Sequence, residues 1–146
     1  MLAELNFSEA RNRFTEVVDR AQRFEISVIR PRKKSEDYSV IVRGDLLKIL
    51  LGKDQEKEYS VEVLNELDGS VTISVGPFGI TVNSETRETA IEQVVQDVID
   101  YAKEYMEPEN FPVYFRSPNR RSHLVLITKV LLCDTKEQVK GITGLA

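Results

Sequence analysis

Apolar residues at Phe7, Ala10, Phe14, Val17, Val18 and Ala21 recur at the three-and-four spacing of a single helix face. Asn6, with Glu9 three residues on, has the pattern of a capping box, so an amphipathic helix is predicted to start after Asn6. Its other face carries Glu9, Arg11, Arg13, Glu16, Asp19 and Arg20. Residues 2–5, too few for a helix, read as a short strand. Residues 26–30 and 38–43 are β-branched runs separated by a polar segment, which predicts a hairpin. Gly44 then breaks the strand, Asp45 is placed to cap the next helix, and Leu46, Leu47, Ile49, Leu50 and Leu51 give that helix a short apolar run ending at Gly52.

Residues 53–58 (KDQEKE) are charged and carry no apolar period, so they are the candidate linker between a first domain, 1–54, and a second, 55–146. In the second, 59–64, 70–75 and 78–82 read as three short strands joined at Asp68-Gly69 and Gly76-Pro77, an antiparallel meander. Thr86 is placed to cap a long helix whose apolar face is Ala90, Ile91, Val94, Val95, Val98, Ile99, Ala102, Tyr105 and Met106, and Pro108 stops it. Glu88, Glu92, Asp97, Asp100 and Glu104 make the outer face acidic. Residues 109–115 are expected to be extended. Ser117-Pro118 is expected to open a helix through Leu131, with a strand over 124–130 as the alternative. Asp134 with Glu137 is expected to box a last short helix before Gly141. The fold class is α+β.

Composition adds little to this pattern except by exclusion. The chain is 41% hydrophobic and 30% charged with seven glycines and five prolines, a balance that supports a packed core. No apolar stretch approaches the ~20 residues of a bilayer span and no secretory signal pattern opens the chain, so a cytoplasmic protein without membrane contact is expected. One cysteine, Cys133, allows no internal disulfide or cysteine-based zinc site and is expected to be a buried small hydrophobe. With one histidine, one cysteine and no phosphate-binding glycine loop, no catalytic, metal or cofactor site is expected.

Charge is unevenly divided. Residues 1–58 hold 12 Lys and Arg against 11 Asp and Glu, and residues 59–146 hold eight against 13. The basic groups of the first part are Arg11 and Arg13 on the first helix and Arg30, Arg32, Lys33 and Lys34 in the hairpin. Arginine suits phosphate and guanine edges, and helix N-termini favour anions. The competing reading pairs Arg11 and Arg13 with Glu9, Glu16 or other neighbours. Arg116, Arg120, Arg121 and His123 form a second basic island, expected to form salt bridges locally, with an acidic partner or RNA phosphates as the alternative. Phe24, Tyr38, Phe78, Phe111, Tyr114 and Phe115 are core candidates.

The segment Asn6-Phe7-Ser8-Glu9-Ala10-Arg11, the amphipathic helix, the strand ending Val28-Ile29-Arg30, then Val40-Ile41-Val42 and the leucine-rich helix resemble the N-terminal module of Phd/YefM (prevent-host-death) antitoxins. The resemblance covers about the first fifty residues. It implies a strand-helix-strand-strand-helix module that dimerises through its sheet and apolar helix face, binds a palindromic operator and represses its own operon. The family's DNA-contacting arginines fall on Arg11 and Arg30, with Ser8 and Arg13 as added contacts. The longer hairpin turn leaves the place of Arg30 open to Arg32, and Arg32 and Lys33 are counted among the DNA-binding candidates. The stretch from Asp68 to Asn83 with the Thr86-capped helix is similar to the β-β-β-α domain of HicB-type antitoxins, and departs from the flexible toxin-binding tail usual in Phd/YefM proteins.

These resemblances together imply a non-enzymatic, homodimeric antitoxin that masks a cognate toxin, for this family often a RelE-like ribonuclease, and binds operator DNA. Glu92, Asp97 and Asp100 on the acidic helix are the candidate contacts for a basic toxin. The alternatives are a DNA-binding regulator without a toxin, whose second domain senses a ligand or serves assembly, and an enzyme or RNA-binding module centred on residues 116–123.

Overall fold

The computed structural model describes residues 3–23, 25–52 and 59–145. Leu2 of the first predicted strand, the core candidate Phe24 and the predicted linker 53–58 lie outside them, as do the side chains of Ile49 and Leu50 in the leucine-rich helix. The chain divides into two compact units, Met1–Lys53 and Asp54–Ala146.

In the first unit the order is β1 (Ala3–Leu5), α1 (Phe7–Asn12), α2 (Phe14–Gln22), β2 (Ser27–Ile29), β3 (Ser39–Ile41) and α3 (Gly44–Gly52). β1 runs parallel to β2, β3 pairs antiparallel on the other side, and Glu4, Val28 and Val40 share a register position across the sheet. The capping box forms in full: the Asn6 side chain accepts from the Glu9 amide and the Glu9 carboxylate accepts from the Asn6 amide, both at 2.9 Å. The helix predicted in one piece is broken at Arg13, whose φ of −116° leaves the helical range. Its amide still donates to Glu9 and its carbonyl accepts from Val17, so the apolar period passes over the break unaltered. Ala10, Val17 and Ala21 are buried, whereas Phe7 and Phe14 are exposed. Asp45, expected as a cap, lies inside the first turn of α3, where the Arg43 carbonyl accepts the first helical bond from Leu47.

The second unit contains β4 (Ser60–Asn65), β5 (Val71–Gly76), β6 (Ile80–Ser84), α4 (Arg87–Met106), α5 (Phe111–Arg116), α6 (Pro118–Arg121), α7 (Leu124–Leu131) and α8 (Lys136–Thr143). The three strands form the expected meander, with β5 central. Asp68 closes the first turn by accepting from the amide and hydroxyl of Ser70 beside Gly69, which sits at φ +88°. Alternation sends Val71, Ile73 and Val75 inward, where they meet Ala90, Val94, Val95, Val98, Ala102 and Tyr105 of α4, all fully buried. Thr86 caps α4 as expected, accepting from the Thr89 amide. Among the described residues no helix is long and apolar enough to cross a membrane.

The region after α4 departs from the sequence expectation. Residues 109–115, expected to be extended, contain α5: Pro112 sits in the first turn, where a helix tolerates it, and Phe111, Tyr114 and Phe115 fall at i, i+3 and i+4. The predicted helix 118–131 is two, α6 and α7, parted at Ser122 and His123. The strand alternative for 124–130 is overturned, because the segment is helical and the Thr128 hydroxyl donates to the Leu124 carbonyl one turn back (2.8 Å). The last capping box is displaced by one residue: Thr135 accepts from the Gln138 amide and the Gln138 side chain accepts from the Asp134 amide. α8 runs through Gly141 to Gly144, which closes it at φ +79°. Tyr38, a core candidate, is exposed, and Cys133 is half-buried, its thiol donating to the Lys129 carbonyl at 3.3 Å.

Candidate nucleic-acid interface

The six candidate DNA-binding residues of the first unit occupy two places. Ser8, Arg11 and Arg13 belong to the start of the helical segment; Arg30, Arg32 and Lys33 come after β2. The anion-binding reading of the helix start weakens, because the amide of Glu9 is held by Asn6 and the Glu9 carboxylate lies over the same turn. Three of the five charged candidates are engaged. Arg13 makes a two-pronged bond to Glu16 (2.6 and 2.8 Å), and Arg32 makes one to Glu36 (2.7 and 3.2 Å). Hydrogen bonding from these guanidiniums holds both carboxyls below the usual range. Arg32 also lies 4.6 Å over the Phe7 ring, which brings the hairpin loop against the start of α1. Arg30 donates to Glu4 at 3.1 Å, in a pair whose members are both more than half exposed. Such pairs are weak and screened by salt, so a phosphate competes readily for Arg30. Among the described residues Arg11 and Lys33 have no carboxylate partner, and both are exposed. The expectation that Arg13 pairs locally therefore describes the structure, and the corresponding one for Arg11 does not.

In the second unit the acidic face of α4 is partly committed. Lys140 of α8 binds both Glu92 and Glu137, so Glu92 is a strut between α4 and α8. The hydrogen bond from Lys140 lowers the Glu92 pKa. Asp100 is exposed and accepts from Gln96 (2.8 Å), and Asp97 is half-exposed.

The island of residues 116–123 is divided by burial. His123, 7% exposed, is a core residue: its Nδ1 meets the Tyr101 hydroxyl at 2.8 Å and its ring packs edge-on against Phe78. Burial, then the charge of Arg120, pushes its pKa below 6.5. The folded protein thus favours the neutral ring, and as pH falls through about 6.5 the unfolded chain takes up the proton first. The stability contributed above that pH is lost on acidification. The melting temperature is expected to fall between pH 7.5 and pH 5.5, and His123→Gln is expected to flatten that fall; an unchanged slope in the variant would remove His123 as its cause. Arg116, Arg120 and Arg121 stay at the surface on α5 and α6. The local salt bridges expected for them are absent among the described residues; Arg120 and Arg121 lie instead on the rings of Tyr114 (4.1 Å) and Phe115 (4.7 Å).

Residues 1–144 match the family described as antitoxin of toxin-antitoxin, RelE/RelB, TA system. A crystal structure of an antitoxin part of a proposed toxin/antitoxin system from Syntrophomonas wolfei subsp. wolfei superposes with a TM-score of 0.78 at 27% identity, covering 97% of this chain and 96% of that one. No curated protein matches. With a family match that spans both units and a solved relative of the same length and fold, the chain belongs to the antitoxin family of toxin-antitoxin systems.

Proposed function

We propose that the protein is an autoregulatory antitoxin of the cytoplasm: its first unit, of Phd/YefM type, dimerises and binds operator DNA, and its second unit, a HicB-like β-β-β-α arrangement extended by α5 to α8, masks a cognate toxin. The observation that carries the reading is the antitoxin family match over both units rather than over the first alone. Arg11 and Lys33, which have no carboxylate partner among the described residues, and the weakly held Arg30 support the operator contact, and Arg13 and Arg32 would have to exchange Glu16 and Glu36 for phosphate. A basic, RelE-like ribonuclease suits α4, where Asp97 and Asp100 offer charge and Glu92 does so only in competition with Lys140. No reaction is assigned to the chain; neutralisation is stoichiometric.

The test is binding of the purified protein to its own promoter duplex across a salt series, with and without the toxin encoded beside it. Wild type is expected to bind in a salt-dependent manner, and Arg11→Ala and Arg30→Ala to weaken specific binding, each by roughly tenfold or more. Absence of specific binding by wild type would reject the repressor role, and absence of a complex with the neighbouring gene product would reject that partner.

A further inference from the structure

Arg116, Arg120 and Arg121 concentrate positive charge on α5 and α6, in a part of the chain that is acidic overall. Among the described residues none of the three meets a carboxylate, so balancing local charge is not their role. Their setting is specific. Arg120 lies 4.1 Å over the Tyr114 ring, whose hydroxyl is fixed by Glu104 (2.6 Å), and the Arg120 carbonyl accepts from the Tyr105 hydroxyl (2.9 Å). Arg121 lies 4.7 Å over Phe115 and donates through Nε to the Phe115 carbonyl (3.0 Å). Phe115 in turn stacks on Phe111 at 5.5 Å with ring planes 16° apart. Two guanidinium groups therefore lie over aromatic rings, of which Tyr114 packs against the core and Phe115 stacks on Phe111, which also packs there, and exposed Arg116 comes directly after Phe115.

A guanidinium stacked on a ring has its inner face covered while its outer face and N–H edges remain available. The outer face suits a second planar group and the edges suit phosphate oxygens. Only a single strand offers both, since its bases are unstacked and their π-faces open; duplex DNA offers phosphate alone. We propose that α5 and α6 form a docking site for single-stranded nucleic acid, with bases stacking on Arg120 and Arg121 and phosphates met by Arg116 and the guanidinium edges. The site is separate from the operator contact proposed for the first unit and takes a different ligand.

The experiment is fluorescence anisotropy of the full-length protein with mixed-sequence 20-nucleotide single-stranded RNA, the same sequence as single-stranded DNA, and the operator duplex. Wild type is expected to bind the single strands with an affinity that falls with salt, the three arginines contributing a log-log slope of about −2. Arg120→Gln with Arg121→Gln is expected to lose at least tenfold on single strands while holding the operator. Arg11→Ala with Arg30→Ala is expected to show the converse, so the two readings fail separately. Arg120→Lys with Arg121→Lys, which keeps charge and loses the plane, is expected to weaken binding nearly as much as the glutamine pair. Arg116→Gln, an exposed change that disturbs no ring, is expected to cost severalfold. Equal binding of RNA and DNA supports recognition through base and phosphate, and preference for RNA adds a 2′-hydroxyl contact. Equal single-strand binding by wild type and the glutamine pair overturns the proposal, as does absence of binding by wild type. Wild-type binding of poly-glutamate that excludes the RNA and is lost in the same variants would overturn it in favour of an acidic protein partner.

Discussion

Tyr105→Ala is expected to destabilise the second unit by about 3–5 kcal/mol, the range for deleting a large aromatic side chain from a packed core. Tyr105 is fully buried at the C-terminal end of α4, where its ring meets Tyr101, Phe111 and Tyr114 and its hydroxyl holds the Arg120 carbonyl. One side chain thus joins α4 to both of the short helices after it. Helices of six and four residues have little stability of their own, so α5 and α6 depend on this contact. For a unit of this size the change corresponds to a drop in melting temperature of about 15–25 °C. Tyr105→Phe keeps the ring packing and removes one hydrogen bond from a carbonyl that still accepts from the His123 amide, so about 1 kcal/mol at most is expected. Calorimetry measures both, and an alanine variant that melts within a few degrees of wild type would show that the ring does not pack as described.

The second large effect concerns assembly of the first unit. Its described buried residues are Ala10, Val17, Ala21 and Ser27, a small core for about fifty residues, which is close to the lower size limit for independent folding. Phe14, Tyr38 and Val40 are each more than half exposed. By strand alternation Val40 shares with Val28 the sheet face opposite Ser27, which is buried. Apolar area left open on so small a unit favours a second copy. If the first unit dimerises and binds its operator as proposed, Phe14→Glu combined with Val40→Glu is expected to give a monomer in light scattering and to weaken operator binding by more than about a hundredfold, because two linked half-site contacts become one. A variant that stays dimeric would place the interface elsewhere.

The elements that could be read in the sequence are those whose partners lie close by. Asn6 and Glu9, or Thr86 and Thr89, are three residues apart, and the inward residues of β5 and α4 declare themselves by period alone. Period is also misleading in two places. It continues across the break at Arg13, and in α5 it is hidden by Pro112, which is hostile to a helix interior but harmless in a first turn. The parallel pairing of β1 with β2 leaves no local mark, since its partners are 24 residues apart.

The candidate site divides in the same way. The basic residues could be named, and the i, i+3 spacing of Arg13 with Glu16 announced their pairing, whereas the pairing of Arg32 with Glu36 is made in the hairpin loop and carried no such signal. Lys140, 48 positions from Glu92, could not be foreseen as its partner. Nor could the placing of Arg120 and Arg121 over Tyr114 and Phe115, which depends on the helix break at Ser117 between α5 and α6.

His123 is the sole imidazole of the chain, and its ring, just before α7, meets two other stretches: Phe78 between β5 and β6, and Tyr101 on α4. Its ring resonances therefore amount to a single uncrowded spectroscopic signal for the docking of sheet, long helix and the later helices. Ring-current shifts from Phe78 and Tyr101 would register any movement of one stretch against the others. A toxin or nucleic acid that reshapes the second unit would move that signal, and one that binds without reshaping it would leave the signal in place.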